Sequence, residues 1–162
     1  MTEHTAVHET FVIERIYNHS PATVFAAFAN PAAKKTWFGG PPEWESAVSM
    51  EFRVGGRETS RGGPKGGTVH SFDSRYMDIV PDERIVFAYD MHLDDKHISV
   101  SLTTVEFKRH DGGKATRLLF TEQGVYLDGY DNAGQRVEGT EGLLNQLGAA
   151  LDSGRVAAAA GV

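Results

Sequence analysis

Four leucines near the C-terminal end, Leu143, Leu144, Leu147 and Leu151, recur at steps of one, three and four. That spacing puts them on one stripe of a 3.6-residue helix and makes this the only long helical pattern in the chain. A helix with one apolar stripe needs a surface to cover it, and almost everything upstream reads as β-structure. Asn132 followed by Gln135 has the form of a capping box, and Asp152-Ser153-Gly154 offers a stop with glycine placed for a left-handed cap. The spacing predicts a helix over residues 133–152. Gly139, Gly142 and Gly148 lie inside it, each costing roughly 1 kcal/mol against alanine in an exposed helix interior. They imply close backbone approach or the lid of a cavity.

The upstream pattern begins with a strand, in which Phe11, Ile13, Arg15 and Tyr17 alternate with Val12, Glu14, Ile16 and Asn18. Ser20-Pro21 caps and opens a short helix carrying Val24, Phe25 and Phe28, and Asn30-Pro31 ends it and starts a second. After the Gly39-Gly40-Pro41-Pro42 break, strands are expected at 44–52, 57–60, 69–80, 84–91, 97–108 and 115–123, joined by turn sequences. The apolar phase is even in Ile98, Val100 and Leu102 but odd in Val105 and Phe107, which predicts a bulge near Thr103-Thr104. The expected fold is α+β: a curved antiparallel sheet wrapped around the C-terminal helix, with two short helices after the first strand. Residues 1–9 are expected to form a disordered leader, 10–152 a single domain and 153–162 a flexible tail.

The chain of 162 residues is 40% hydrophobic, enough for one core, and carries a net charge of −6 with no basic run. Nucleic acid is therefore excluded as an expected partner. There is no cysteine, so disulfides, thiolate nucleophiles and zinc-cysteine sites are absent. Residues 1–9 hold no apolar run of the kind a secretory signal carries, and no segment has membrane-spanning length, so a cytoplasmic location without membrane insertion is expected.

Several strings in this order resemble the SRPBCC superfamily, the helix-grip proteins that include birch-pollen-allergen-like and START lipid-binding domains. The closer likeness is to the branch of activator-of-heat-shock-protein-ATPase homologues, in an uncharacterised bacterial subgroup. The resemblance is carried by Arg15 with Ser20-Pro21-Ala22-Thr23-Val24-Phe25, by Asn30-Pro31 with Trp37-Phe38, by Phe52-Arg53-Val54-Gly55-Gly56 and by Ile79-Val80-Pro81 with Arg84-Ile85-Val86. Thr121-Glu122-Gln123-Gly124, Leu127-Asp128-Gly129, Glu138-Gly139-Thr140 and Leu143-Leu144 continue it, so that it spans about residues 10–152. Ser20 stands where the opening motif usually has alanine. The resemblance implies a helix-grip fold and a function among lipid, polyketide or hormone binding, polyketide cyclisation and chaperone stimulation.

The residues rank these functions. A gap between the sheet and the last helix is the natural pocket, of some 300 Å³ or more for a small ligand. Trp37, Phe38 and Trp44 flank the Gly-Gly-Pro-Pro break as a pocket mouth, and His70 alternates with Phe72 and Tyr76. Phe87, Tyr89, Val100, Leu102, Phe120, Leu143 and Leu147 share the expected concave face. Arg15 and Glu122 are in phase with their strands' apolar residues, and since the resemblance makes the first and last strands neighbours, they are expected to meet as a polar pair in the pocket wall. The primary expectation is binding of a small hydrophobic or amphipathic molecule by a monomer or homodimer. A chaperone-interaction module acting through the outer surface is second, and an enzyme of polyketide-cyclase type third. No serine sits in a nucleophile elbow, no catalytic residues are assigned, and enzyme activity is not favoured.

Metal and cofactor are not expected. His92 and His97 could meet across a hairpin turn, but such turns collect polar residues by default. Asp128, Asp131, Asn132 and Glu138 lack the spacing of a calcium loop. In Arg61-Gly62-Gly63-Pro64-Lys65-Gly66-Gly67-Thr68 the lysine precedes the last two glycines, the wrong order for a phosphate loop.

Overall fold

The computed structural model describes residues 3–161. Seven strands form one antiparallel sheet in the order β1-β7-β6-β5-β4-β3-β2: β1 (Ala6–Tyr17), β2 (Glu45–Met50), β3 (Arg57–Gly63), β4 (His70–Val80), β5 (Arg84–Leu93), β6 (Lys96–His110) and β7 (Ala115–Leu127). Helices α1 (Pro21–Ala29) and α2 (Pro31–Lys34) follow β1, and α3 (Ala133–Asp152) and α4 (Arg155–Ala160) follow β7. From β2 onward each strand pairs with the next in sequence, so hairpins build most of the sheet locally, and β1 then closes against β7 from Ala6↔Leu127 to Tyr17↔Thr116. Asp82, Asp94, Asp111 and Asp128 take positive φ after strand ends, a conformation that a short carboxylate side chain tolerates better than bulkier residues do.

The helix ends follow local chemistry. Ser20 accepts the Thr23 amide at 3.3 Å, Asn30 accepts that of Ala33 at 3.0 Å, and Asn132 accepts that of Gln135 at 3.0 Å. Pro21 and Pro31 occupy first-turn positions where no amide hydrogen is needed. The leucine stripe of α3 faces the concave side of the sheet, where Leu144, Leu147 and Leu151 join Ile13, Val105, Phe107 and Leu118 in the core. Each fully buried leucine contributes about 1.5 to 3 kcal/mol of apolar transfer. Gly148 permits the closest approach: a Cβ there would stand 3.2 Å from the Tyr17 ring, whose hydroxyl donates to the Leu144 carbonyl at 2.7 Å.

Four sequence expectations need correction. The strand begins at Ala6, because Ala6–Glu9 complete the ladder to β7, and Asp128 accepts the Thr5 amide at 2.9 Å. The leader expected over residues 1–9 therefore does not extend past Thr5 among the described residues. The expected tail contains α4, whose Val156 is fully buried and which packs on α1 and α2. No bulge occurs near Thr103-Thr104, since both ladders of β6 run through that region in register, and the irregularities fall at Tyr76/Asp78 and Met91/His92. Val100 and Leu102 point to the convex face, each 40% exposed. The inward phase of β6 is Ser99, Ser101, Thr103, Val105 and Phe107, all buried.

Candidate ligand-binding site

The sheet and α3 do not close completely. Between them, extending under the segment after α2, lies a cavity of about 670 Å³. Trp37, Phe38, Trp44, His70, Phe87, Tyr89, Phe120 and Leu143 line it together, as does Glu122. The aromatic wall is continuous: Phe38 meets Phe72 edge-on at 5.4 Å, Phe72 lies 4.9 Å from Tyr89, and Tyr89 lies 5.9 Å from Phe87. At the mouth the Trp44 and His70 rings stack at 4.8 Å. Gly40 makes room there, since a Cβ would sit 2.3 Å from the Trp44 ring. Gly139 lines the cavity from α3, and a Cβ on it would meet nothing within 4 Å.

Other predicted lining residues lie elsewhere. Tyr76 and Leu147 are core residues outside the cavity wall, and Val100 and Leu102 are on the opposite face of the sheet. For these two the cause is the polar inward phase of β6, which serves a buried polar cluster rather than an apolar surface.

That cluster replaces the expected Arg15–Glu122 pair. Register places Glu122 opposite Phe11 and Arg15 opposite Leu118, four residues apart along the ladder, or about 13 Å at the usual rise. The Arg15 guanidinium donates to the Glu14 carbonyl instead. The cation beside Glu122 comes from the first turns of α3: Arg136 Nη1 donates to Glu122 Oε2 at 3.4 Å and to the Tyr89 hydroxyl at 2.8 Å. Its Nη2 donates to Ser99 and to Asp131, both at 2.7 Å. Glu122 is 1% exposed, and its Oε1 accepts from the Tyr89 hydroxyl at 2.8 Å and from Thr103 at 3.2 Å. This buried carboxylate therefore has the partners that burial of a charge demands. Burial raises the Tyr89 phenol well above its ordinary value, Glu122 adding to the effect. Burial opposes the Arg136 cation, but Tyr89, Glu122 and Asp131 outweigh it and hold the guanidinium charged. Burial pushes the neighbouring Tyr126 phenol up to about 12, again with Glu122 adding to the rise.

A second buried polar group lies near the mouth. Lys34 Nζ donates to Glu58 Oε1 at 2.7 Å, and the Tyr76 hydroxyl donates to the same oxygen. Neither Arg136 nor Glu58 stood out in the sequence. Arg136 continues the stripe of Leu143, Leu147 and Leu151 toward the start of α3, and a charged residue in that apolar phase was the available signal.

His92 and His97 stack at 4.5 Å, and His97 is hydrogen bonded to Asp90 at 2.7 Å. Among the described residues no three His, Asp or Glu side chains converge as metal ligands. Nor is any helix among them long and apolar enough to cross a membrane.

A curved antiparallel sheet gripping one long helix over a partly aromatic cavity defines the helix-grip class. Within that class the chain belongs to the family of Activator of Hsp90 ATPase homolog 1-like proteins, whose profile matches residues 18–152. An uncharacterised protein from Rhizobium leguminosarum has a solved structure that is 43% identical, with a TM-score of 0.87, and the match covers 94% of this chain and 99% of that one. Mll3558 from Rhizobium loti is 46% identical with a TM-score of 0.82, over 90% and 98% of the two chains. CV1439 from Chromobacterium violaceum is 26% identical with a TM-score of 0.71, over 86% and 94%. No curated protein matches. Membership supports a general ligand-binding or chaperone-associated module.

Proposed function

We propose that the chain binds a small hydrophobic or amphipathic molecule in the cavity between the sheet and α3. The observation that carries this reading is the cavity itself, about 670 Å³ with an aromatic wall and a hydrogen-bonded polar end at Tyr89, Glu122 and Arg136. Its size falls within the usual range for small-molecule sites, and few polar groups among many apolar ones is the usual composition of such sites. The aromatic wall provides contact area for an apolar body, while the fixed polar groups orient a ligand's hydrogen-bonding end. Native mass spectrometry of protein taken directly from cells tests the reading: a small molecule that dissociates on collisional activation is the expected result. Recovery of the bare chain alone, together with no uptake of added apolar compounds, contradicts it.

A chaperone contact is the second reading, favoured by the convex face of the sheet. Val12, Ile16, Val100 and Leu102 are 40% to 60% exposed there, although they belong to β-strands. A pull-down with the cell's heat-shock chaperone, repeated with Val12 and Leu102 changed to serine, should lose its signal if that face makes the contact. Retention unaffected by both changes removes the convex face from consideration. Such a module would leave the cavity without a role.

A further inference from the structure

We propose that Lys34 is an imine-forming lysine, whose Nζ condenses with an apolar aldehyde or ketone that enters the cavity; this rests on the cavity being a binding site. Lys34 lines the cavity, yet its side chain is only 9% exposed, so the amine is held in a largely water-free setting. Its Nζ lies 4.6 Å from the centroid of Phe38, another wall residue, and 2.7 Å from Glu58 Oε1. Glu58 is 1% exposed, and its second oxygen, Oε2, is buried without a hydrogen-bond partner. Desolvation against an apolar wall is what activates a lysine amine toward carbonyl carbon, and the carboxylate in contact provides the group that can carry protons for the condensation. Burial also holds the Lys34 ammonium below the ordinary lysine value, with the Glu58 charge working in the opposite direction. A lysine serving only to tie α2 to β3 would need no cavity beside it.

The chemistry balances without any further reactant. The ammonium passes one proton to Glu58, and the nitrogen lone pair then adds to the carbonyl carbon while the C=O π pair moves to oxygen. That oxygen takes the proton from Glu58, and the nitrogen returns one to the carboxylate, giving a neutral carbinolamine. Loss of the hydroxyl with the Glu58 proton releases water and leaves a protonated imine facing a carboxylate. The net change is ammonium plus carbonyl to iminium plus water, so the site ends with the same ion pair it began with. The apolar wall of Phe38, Phe72 and Trp44 selects aromatic or aliphatic carbonyl compounds over polar sugars and keto acids.

The test is reductive trapping of the full chain with benzaldehyde and sodium cyanoborohydride at neutral pH, followed by peptide mapping. Tryptophan fluorescence, reporting Trp37 and Trp44, follows entry of the probe independently. The expected result is a benzyl adduct on Lys34 at least about tenfold above Lys35, Lys65, Lys96, Lys108 or Lys114. Lys34→Arg should keep the fluorescence response and lose that adduct. The wild-type map decides the matter even if this variant fails to fold. Fluorescence quenching with adducts spread over the exposed lysines and none enriched at Lys34 overturns the imine and leaves the cavity reading standing. No quenching and no Lys34 adduct overturns both.

Discussion

Arg136 is the residue whose removal should reveal most about the buried site. Arg136→Met keeps much of the side chain's length and apolar stem but deletes four hydrogen bonds, to Tyr89, Glu122, Ser99 and Asp131. Glu122 at 1% exposure and Asp131 at 12% of its side chain would then face each other without the cation between them. Breaking a buried pair by removing one partner costs about 3 to 5 kcal/mol, because the remaining charge stays desolvated. With a urea m-value of about 2 kcal/mol per molar, the unfolding midpoint should fall by about 1.5 to 2.5 M. Arg15→Ala is the contrast: that guanidinium reaches only a backbone carbonyl, and its loss should stay within about 1 kcal/mol. Adding Glu122→Gln to Arg136→Met removes the stranded charge and should recover part of the loss, giving a coupling above about 1 kcal/mol in a double-mutant cycle. Arg136→Met within 1 kcal/mol of wild type, or zero coupling to Glu122, would refute the assignment of Arg136 as the partner of Glu122.

Leu147→Asp puts a carboxylate where the side chain is fully buried and should cost several kcal/mol, read as a lowered melting temperature. Gly139 lines the cavity and a Cβ on it would meet nothing within 4 Å, so Gly139→Leu should narrow the cavity and abolish uptake of apolar probes while leaving stability equal or up to about 1 kcal/mol higher. Burial raises the phenols of Tyr17, Tyr76 and Tyr89 above their ordinary value of 10.0. Above that pH the unfolded chain loses protons that the native chain keeps, so stability should fall by about 1.4 kcal/mol per pH unit for each of the three; below it they contribute no pH dependence. Urea midpoints measured from pH 9 to 11, with phenolate absorbance followed in parallel, check the sign.

The architecture was legible because its local signals agree. The leucine stripe, the Asn132 cap and the prolines at the starts of α1 and α2 each predict what their own segment does, and the hairpin turns leave few ways to order the strands. The site was half legible. His70 on β4, Phe87 and Tyr89 on β5 and Phe120 on β7 line the cavity, whereas Tyr76 on β4 lies in the core and β6 misled because Ser99, Ser101 and Thr103 face inward. A binary apolar pattern assumes an apolar interior, and here the interior contains a carboxylate that accepts from Thr103 and a guanidinium that donates to Ser99. Glu122 was correctly read as inward. Its partner was sought on the neighbouring strand, where pairing is predictable, and came from α3, whose rotation and height over the sheet depend on packing that no single segment encodes. Lys34 and Glu58 were hidden for the same reason, since their contact joins a four-residue helix to a strand 24 positions away.

The claim that the space between sheet and helix is a binding site is tested most directly by amide chemical shifts during titration with 1-anilinonaphthalene-8-sulfonate. Val100 and Leu102 serve as reporters of the convex face, and Phe87, Tyr89, Gly139 and Leu143 as reporters of the cavity. The account predicts that the four cavity residues shift together along one saturating curve while Val100 and Leu102 stay fixed, and that Gly139→Leu removes the response. Shifts confined to Val12, Val100 and Leu102, with Phe87 and Leu143 unmoved, would contradict it.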